Sequence, residues 1–97
     1  MIHHIVLLKY KPEVTVDDIQ EVKTRLAALP SQIPAISSLI TGAAVSNPLD
    51  RGFGEGIIFV FEDEEALNVY RPHKAHTDYQ QFVSQFITDI TIFDIKV

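Results

Sequence analysis

The chain has no cysteine, few basic residues and no long apolar run, and each shortage removes a class of proteins. Without cysteine there can be neither disulfides nor thiolate metal sites. Eight Lys and Arg stand against 13 Asp and Glu, a formal charge of -5. The basic residues are scattered, whereas nucleic-acid phosphates demand a concentrated basic surface, so a nucleic-acid partner is excluded. The longest apolar runs, Ile5 to Leu8 and, counting aromatics, Ile57 to Phe61, fall far short of the roughly 18 residues that span a bilayer. No membrane partner is expected. The opening segment also lacks the basic start and small-residue cleavage site of a signal peptide, and the expected location is cytoplasmic.

What is present is one domain, residues 1–97, with 46% hydrophobic content. That is enough for a core, yet close to the size at which association adds stability. Ile2 to Tyr10 is rich in aliphatic and β-branched residues and closes on Lys11-Pro12, which predicts a first strand. Thr15 and Asp18 resemble a capping box, and Ile19, Val22, Leu26 and Leu29 recur at helical spacing. Pro30 and Pro34 are expected to end that helix. A second strand is predicted over Ile36 to Val45, then a loop built on Ser46-Asn47-Pro48 and Asp50-Arg51-Gly52. Gly56 to Glu62 reads as a third strand leading into Asp63-Glu64-Glu65, acidic residues suited to a helix N-terminus. Pro72 should split the second helical region into a short turn, Glu64 to Tyr70, and a longer helix from about His73 to Phe86. Ile87 to Val97 completes the set as a fourth strand.

The order βαββαβ with right-handed crossovers predicts an α+β fold with an antiparallel sheet of order 4-1-3-2. Two helices cover one face of such a sheet. On strand one, however, Ile5 and Leu7 point opposite to Val6 and Leu8, and on strand three Ile57, Phe59 and Phe61 oppose Ile58 and Val60. An antiparallel sheet that met water on one face would alternate to polar there. Burial of the second face against another copy, in a homodimer, is the expectation in preference to cover by neighbouring loops.

All four histidines come as two pairs, His3-His4 and His73 with His76, the second preceded by Tyr70. The topology brings the end of strand three, the start of the second helical region and the beginning of strand one to a shared edge, so Tyr70 to His76 should approach His3 and His4, of which His4 is the chosen partner. His3 and His4 point to opposite faces, and only one of them can join a site with His76. At about 100° per residue, His76 lies about 60° from Tyr79 on the buried-facing side, and His73 about 120° away at its edge. A partly buried imidazole is more easily neutral and can accept a proton, while a phenol can hydrogen-bond an oxygen that gains charge. His76 and Tyr70 are therefore the candidate base and oxyanion donor. The competing reading makes them core-edge residues whose polar atoms bond to the backbone. A metal on His73, His76 and either His4 or Asp78 lacks any HExxH or carboxylate-rich pattern to support it, and no metal is expected. Gly52, Gly54 and Gly56 precede a strand rather than a helix and form no phosphate loop. No serine or cysteine nucleophile pattern assembles either.

Several of these stretches together resemble the stress-responsive dimeric α/β-barrel domain family across nearly the whole chain. They are His4-Ile5-Val6-Leu7-Leu8-Lys9-Tyr10, Ile33-Pro34, Gly42 with Ser46, Phe61-Glu62 with Glu65-Ala66, and Tyr70 with His73 to His76. The last is similar to the family's Tyr-x-x-His-Pro-x-His, with Lys74 in place of proline. The resemblance implies a ferredoxin-like protomer whose sheet packs on a partner's to form a dimeric barrel. It also implies a pocket between sheet and helices, as in plant relatives that cyclise linear polyketides without a cofactor. There the counterpart of His76 is the base, that of Tyr70 its partner, and that of His4 another pocket residue; a pocket tyrosine of those cyclases corresponds to Leu26. The expected function is cofactor-independent proton transfer on a small apolar carbonyl compound, a cyclase, isomerase or lyase step. His76 and Tyr70 would be catalytic, and His4, His73, Leu26 and Tyr79 would bind substrate. A non-catalytic stress or interaction protein acting as a dimer, and a cofactor-free monooxygenase of the same fold, are the alternatives.

Overall fold

The computed structural model describes residues 1–97, as four strands and three helices: β1 (Ile2–Tyr10), α1 (Val16–Gln32), β2 (Ser38–Ala43), β3 (Glu55–Phe61), α2 (Glu64–Tyr70), α3 (Lys74–Ser84) and β4 (Ile87–Lys96). The sheet is antiparallel with order β2-β3-β1-β4, the predicted arrangement read from its other edge. Alternation along β1 sets its two faces: Ile2, His4, Val6 and Leu8 are buried beneath the helices, and the residues between them are half-buried on the other side. No helix is long and apolar enough to cross a membrane.

Thr15 caps α1 as the capping box requires: its hydroxyl accepts from Asp18 N–H at 3.1 Å, and the Asp18 carboxylate accepts from Thr15 N–H at 3.1 Å. Pro30 does not end this helix, which runs through it to Gln32. In the last turn proline deletes a single backbone bond, and Leu26, Leu29 and Ile33, all fully buried, hold that turn against the sheet. The chain leaves the helix only with Ile33 and Pro34. β2 is shorter than predicted because Ile36 is drawn into a turn after α1, its N–H bonded to the carbonyl of Ile33 at 3.0 Å. At its other end, residues 44–54 form a loop whose turn uses positive φ at Arg51 and Gly52.

β3 begins one residue earlier than the sequence predicts, at Glu55, and ends at Phe61. Asp63 caps α2 through its carboxylate and the Ala66 N–H at 2.8 Å. The break expected at Pro72 is present. α3 is shorter than predicted, stopping at Ser84 because the chain must swing into β4, where the Lys11 N–H bonds to the Phe86 carbonyl at 2.8 Å.

The helices cover β1 and β3 but not the full sheet, and of β2 only Leu39 packs against the core. Ile90 and Ile92 of β4 lie opposite Leu8 and Val6 on the helix-facing side, yet remain 43% and 49% exposed. The opposite face has no cover from the chain's own loops over its centre. There Ile40 and Phe93, which flank Ile58 and Ile5 in the strand register, are 62% and 60% exposed.

Candidate active site

β1 and β3 build the floor of the site from period-two alternation. His4 lies directly opposite Phe59 and on the same face as Phe61, with ring centroids 5.6 and 6.2 Å apart. Tyr70, the last residue of α2, is fully buried above them, 5.5 Å from His4, 5.2 Å from Phe59 and 5.0 Å from Phe61. Pro72 then breaks the helix and His73 restarts it, the His73 Nδ1 accepting from the Ala75 N–H at 3.1 Å. One turn into α3, the imidazole of His76 stacks on the Tyr70 ring, with centroids 4.0 Å apart and planes 28° apart.

Hydrogen bonding fixes the state of His76. Its Nδ1 lies 3.0 Å from the backbone carbonyl of Arg71. A carbonyl can only accept, so Nδ1 carries the proton and Nε2 keeps its lone pair in the neutral ring. Burial lowers the His76 pKa, with the neighbouring His4 and His73 adding to that effect, against the Arg71 and Tyr70 carbonyls, which favour the cation. Tyr70 moves the other way. Burial raises its pKa well above the ordinary phenol range, with Tyr79 and Asp94 adding to the rise, so the hydroxyl stays protonated and able to donate.

Two residues not foreseen from the sequence complete the arrangement. The Nδ1 of His4 lies 2.5 Å from Oδ1 of Asp94, and Nη2 of Arg71 donates to Oδ2 of the same carboxylate at 3.2 Å. Asp94 thus orients the His4 ring and ties β4 to the end of α2. Its signal was a carboxylate within the otherwise apolar Ile90, Ile92, Phe93, Ile95 stretch, but only the β1–β4 register puts it opposite His4.

His4, Tyr70, His76 and Tyr79 converge on one cavity, walled by Val6, Leu8, Ile57, Phe59, Val83, Ile90 and Ile92. Its volume is about 30 Å³, and the exposed residues of its wall are Gln80 of α3 and Ile90 and Ile92 of β4. The other two expected substrate contacts are elsewhere: His73 serves as the N-cap of α3, and Leu26 is packed in the core beneath α1. Leu26 was expected at the pocket from the family resemblance and His73 from its place at the edge of the helical stripe, and neither source gives a side chain's depth. Larger clefts of about 420 and 400 Å³, one between α1 and α3 and one on the open sheet face by Leu7 and Gly42, reach no histidine. No three His, Asp or Glu side chains converge with metal-ligand geometry.

Residues 2–97 match the family described as Stress responsive A/B Barrel Domain. The chain belongs to this family. It is 27% identical over 94 residues to olivetolic acid cyclase of Cannabis sativa, covering 96% of this chain and 93% of the cyclase. Its fold is shared with a dimeric ferredoxin-like protein of unknown function from Thermobifida fusca, with a TM-score of 0.85, 22% identity and coverage of 99% and 90% of the two chains. It is shared too with a hydroxynitrile lyase from Passiflora edulis, with a TM-score of 0.88, 15% identity and coverage of 99% and 92%. The protein is thus a ferredoxin-like member of the stress-responsive A/B barrel family.

Proposed function

We propose that this family member is a homodimer, acting in the cytoplasm and joined through the open sheet face, whose His76 cavity takes a small, mostly apolar carbonyl compound and catalyses proton transfer on it without a cofactor. The observation that carries the reading is the stacked pair of His76 and Tyr70, a neutral imidazole with Nε2 free beside a phenol that stays protonated. In the proposed step Nε2 takes a proton from the carbon next to the carbonyl. The C–H electron pair moves into the carbon–carbon bond and the carbonyl pair onto oxygen, giving an enolate that the Tyr70 hydroxyl stabilises by hydrogen bonding. Return of the proton to another position is an isomerisation, and attack of the enolate on a second carbonyl is an aldol-type cyclisation. His4, oriented by Asp94, positions the ligand from the sheet side. The names of the cyclase and the lyase among the similar proteins are in keeping with this chemistry.

A cavity of about 30 Å³ is far below the roughly 300 Å³ or more of ordinary ligand sites. Substrate must therefore part α3 from the uncovered β4 side, where the exposed Ile90 and Ile92 line the cavity. The same small volume favours the second reading, a non-catalytic protein whose dimer is the working unit. Deuterium exchange separates the two. The protein is incubated with methyl heptyl ketone in D2O, and proton loss next to the carbonyl is followed by NMR. The catalytic reading expects exchange above buffer that falls by about 100-fold or more in Tyr70→Phe, in line with loss of an oxyanion donor. Exchange no faster than buffer, or indifferent to Tyr70, removes it.

A further inference from the structure

Three buried oxygens at the other end of the same helix-facing layer have no hydrogen-bond partner: the hydroxyls of Tyr10 and Tyr79, and Oε1 of Glu55. Native proteins leave few such groups, because each loses its water without replacement. Glu55 is only 4% exposed and Tyr79 only 8%. The second carboxylate oxygen of Glu55 lies 3.9 Å from Lys23 Nζ, beyond hydrogen-bonding distance.

These groups lie in line with the His76 site. Phe59 is opposite His4 and Glu55 is opposite Leu8 on the same face of the sheet. Four residues of strand separate them by about 13 Å at ~3.3 Å per residue. Val6, Leu8 and Ile57 form the apolar floor between. Tyr79 belongs to both groups, since it lines the cavity with His76 while its own buried hydroxyl is unpaired, and its pKa, raised first by burial, is raised further by Tyr10 and Glu55. Burial likewise raises the Glu55 pKa, with Lys23 opposing, and pushes Tyr10 up to about 12 with Glu55 contributing.

We infer that Glu55, Tyr10 and Tyr79 form a second polar subsite that takes a hydroxyl group on the ligand, so that the ligand is an elongated apolar carbonyl compound with a hydroxyl at its far end. A hydroxyl is the group that fits all three oxygens, because it donates to the Glu55 carboxyl and accepts from a tyrosine. The inference rests on the proposed carbonyl site for its first half only; the hydroxyl subsite stands on the unpaired oxygens.

The test uses calorimetric titration with three probes: methyl heptyl ketone, its ω-hydroxy analogue and n-nonyl alcohol. Wild type should bind the hydroxy ketone about tenfold more tightly than the ketone, the gain of one good buried hydrogen bond. In Glu55→Leu that preference should vanish and n-nonyl alcohol should weaken by a similar factor, while the plain ketone is unaffected. Thermal unfolding of Glu55→Leu checks that the variant is folded, and Tyr10→Phe with Tyr79→Phe repeats the comparison with minimal change of shape. If the hydroxyl confers no advantage in wild type, or if the advantage survives in both sets of variants, the subsite is an internal water site and the inference fails. Failure of the carbonyl reading shows differently: the ketone then binds without regard to His76→Asn and Tyr70→Phe, whereas n-nonyl alcohol still depends on Glu55. Absence of binding by all three probes overturns both.

Discussion

The His76 ring lies 4.0 Å from the Tyr70 ring while its Nδ1 is spent on the Arg71 carbonyl, so one nitrogen serves the fold and the other is left for the proposed chemistry. Substitutions can separate the two. Asparagine reproduces a donor near Nδ1 but has nothing at the Nε2 position. We expect His76→Asn to keep its unfolding free energy within about 0.5 kcal/mol of wild type, and His76→Leu to lose about 1–2 kcal/mol through the orphaned carbonyl. Ketone proton exchange should be absent in both. Urea denaturation with the exchange assay checks this, and an active His76→Asn protein would remove His76 as the base.

The lowered pKa of His76 has a defined sign. The unfolded chain, at the ordinary value of 6.5, takes up the proton before the folded one does, so stability attributable to His76 is fully present above pH 6.5 and is lost as pH falls below it. The stability difference between wild type and His76→Asn should therefore move against wild type between neutral pH and the lower, folded-state pKa. Parallel denaturation series across that range read it directly; a difference that does not vary with pH contradicts the shift.

Asp94 joins three elements through His4 and Arg71. Asp94→Asn should cost about 1–2 kcal/mol, since charge-assisted bonds are weakened and one acceptor oxygen becomes a donor. A double-mutant cycle with His4→Ala should show a coupling of at least about 0.5 kcal/mol. Additive losses would mean that the two side chains do not depend on each other.

Ile5 and Phe93 lie opposite one another at the centre of the uncovered sheet face. Phe93→Asp places a charge there and should convert a dimer into a monomer, observed by light scattering on a sizing column, with little change in the circular dichroism of the protomer. A wild-type protein that is monomeric at every concentration, or a Phe93→Asp dimer, would show that this face is not the interface.

The sequence alone was sufficient for the element order, the sheet order and the broken second helix, because these arise from local rules: alternation on β1, the Thr15–Asp18 box and the rigidity of Pro72. It also drew Tyr70, His76 and His4 to one edge through topology, and the family resemblance pointed to the same residues. Local rules failed where tertiary packing outweighed them. The buried Leu26, Leu29 and Ile33 carried α1 through Pro30, and the β1–β4 register alone matched Asp94 with His4. The capping of α3 by His73, the depth of Leu26 and the gathering of Tyr10, Glu55 and Tyr79 depend on distances between segments far apart in the chain. Periodicity along a strand or helix specifies a face, but which faces meet, and how closely, is decided only when the whole core packs.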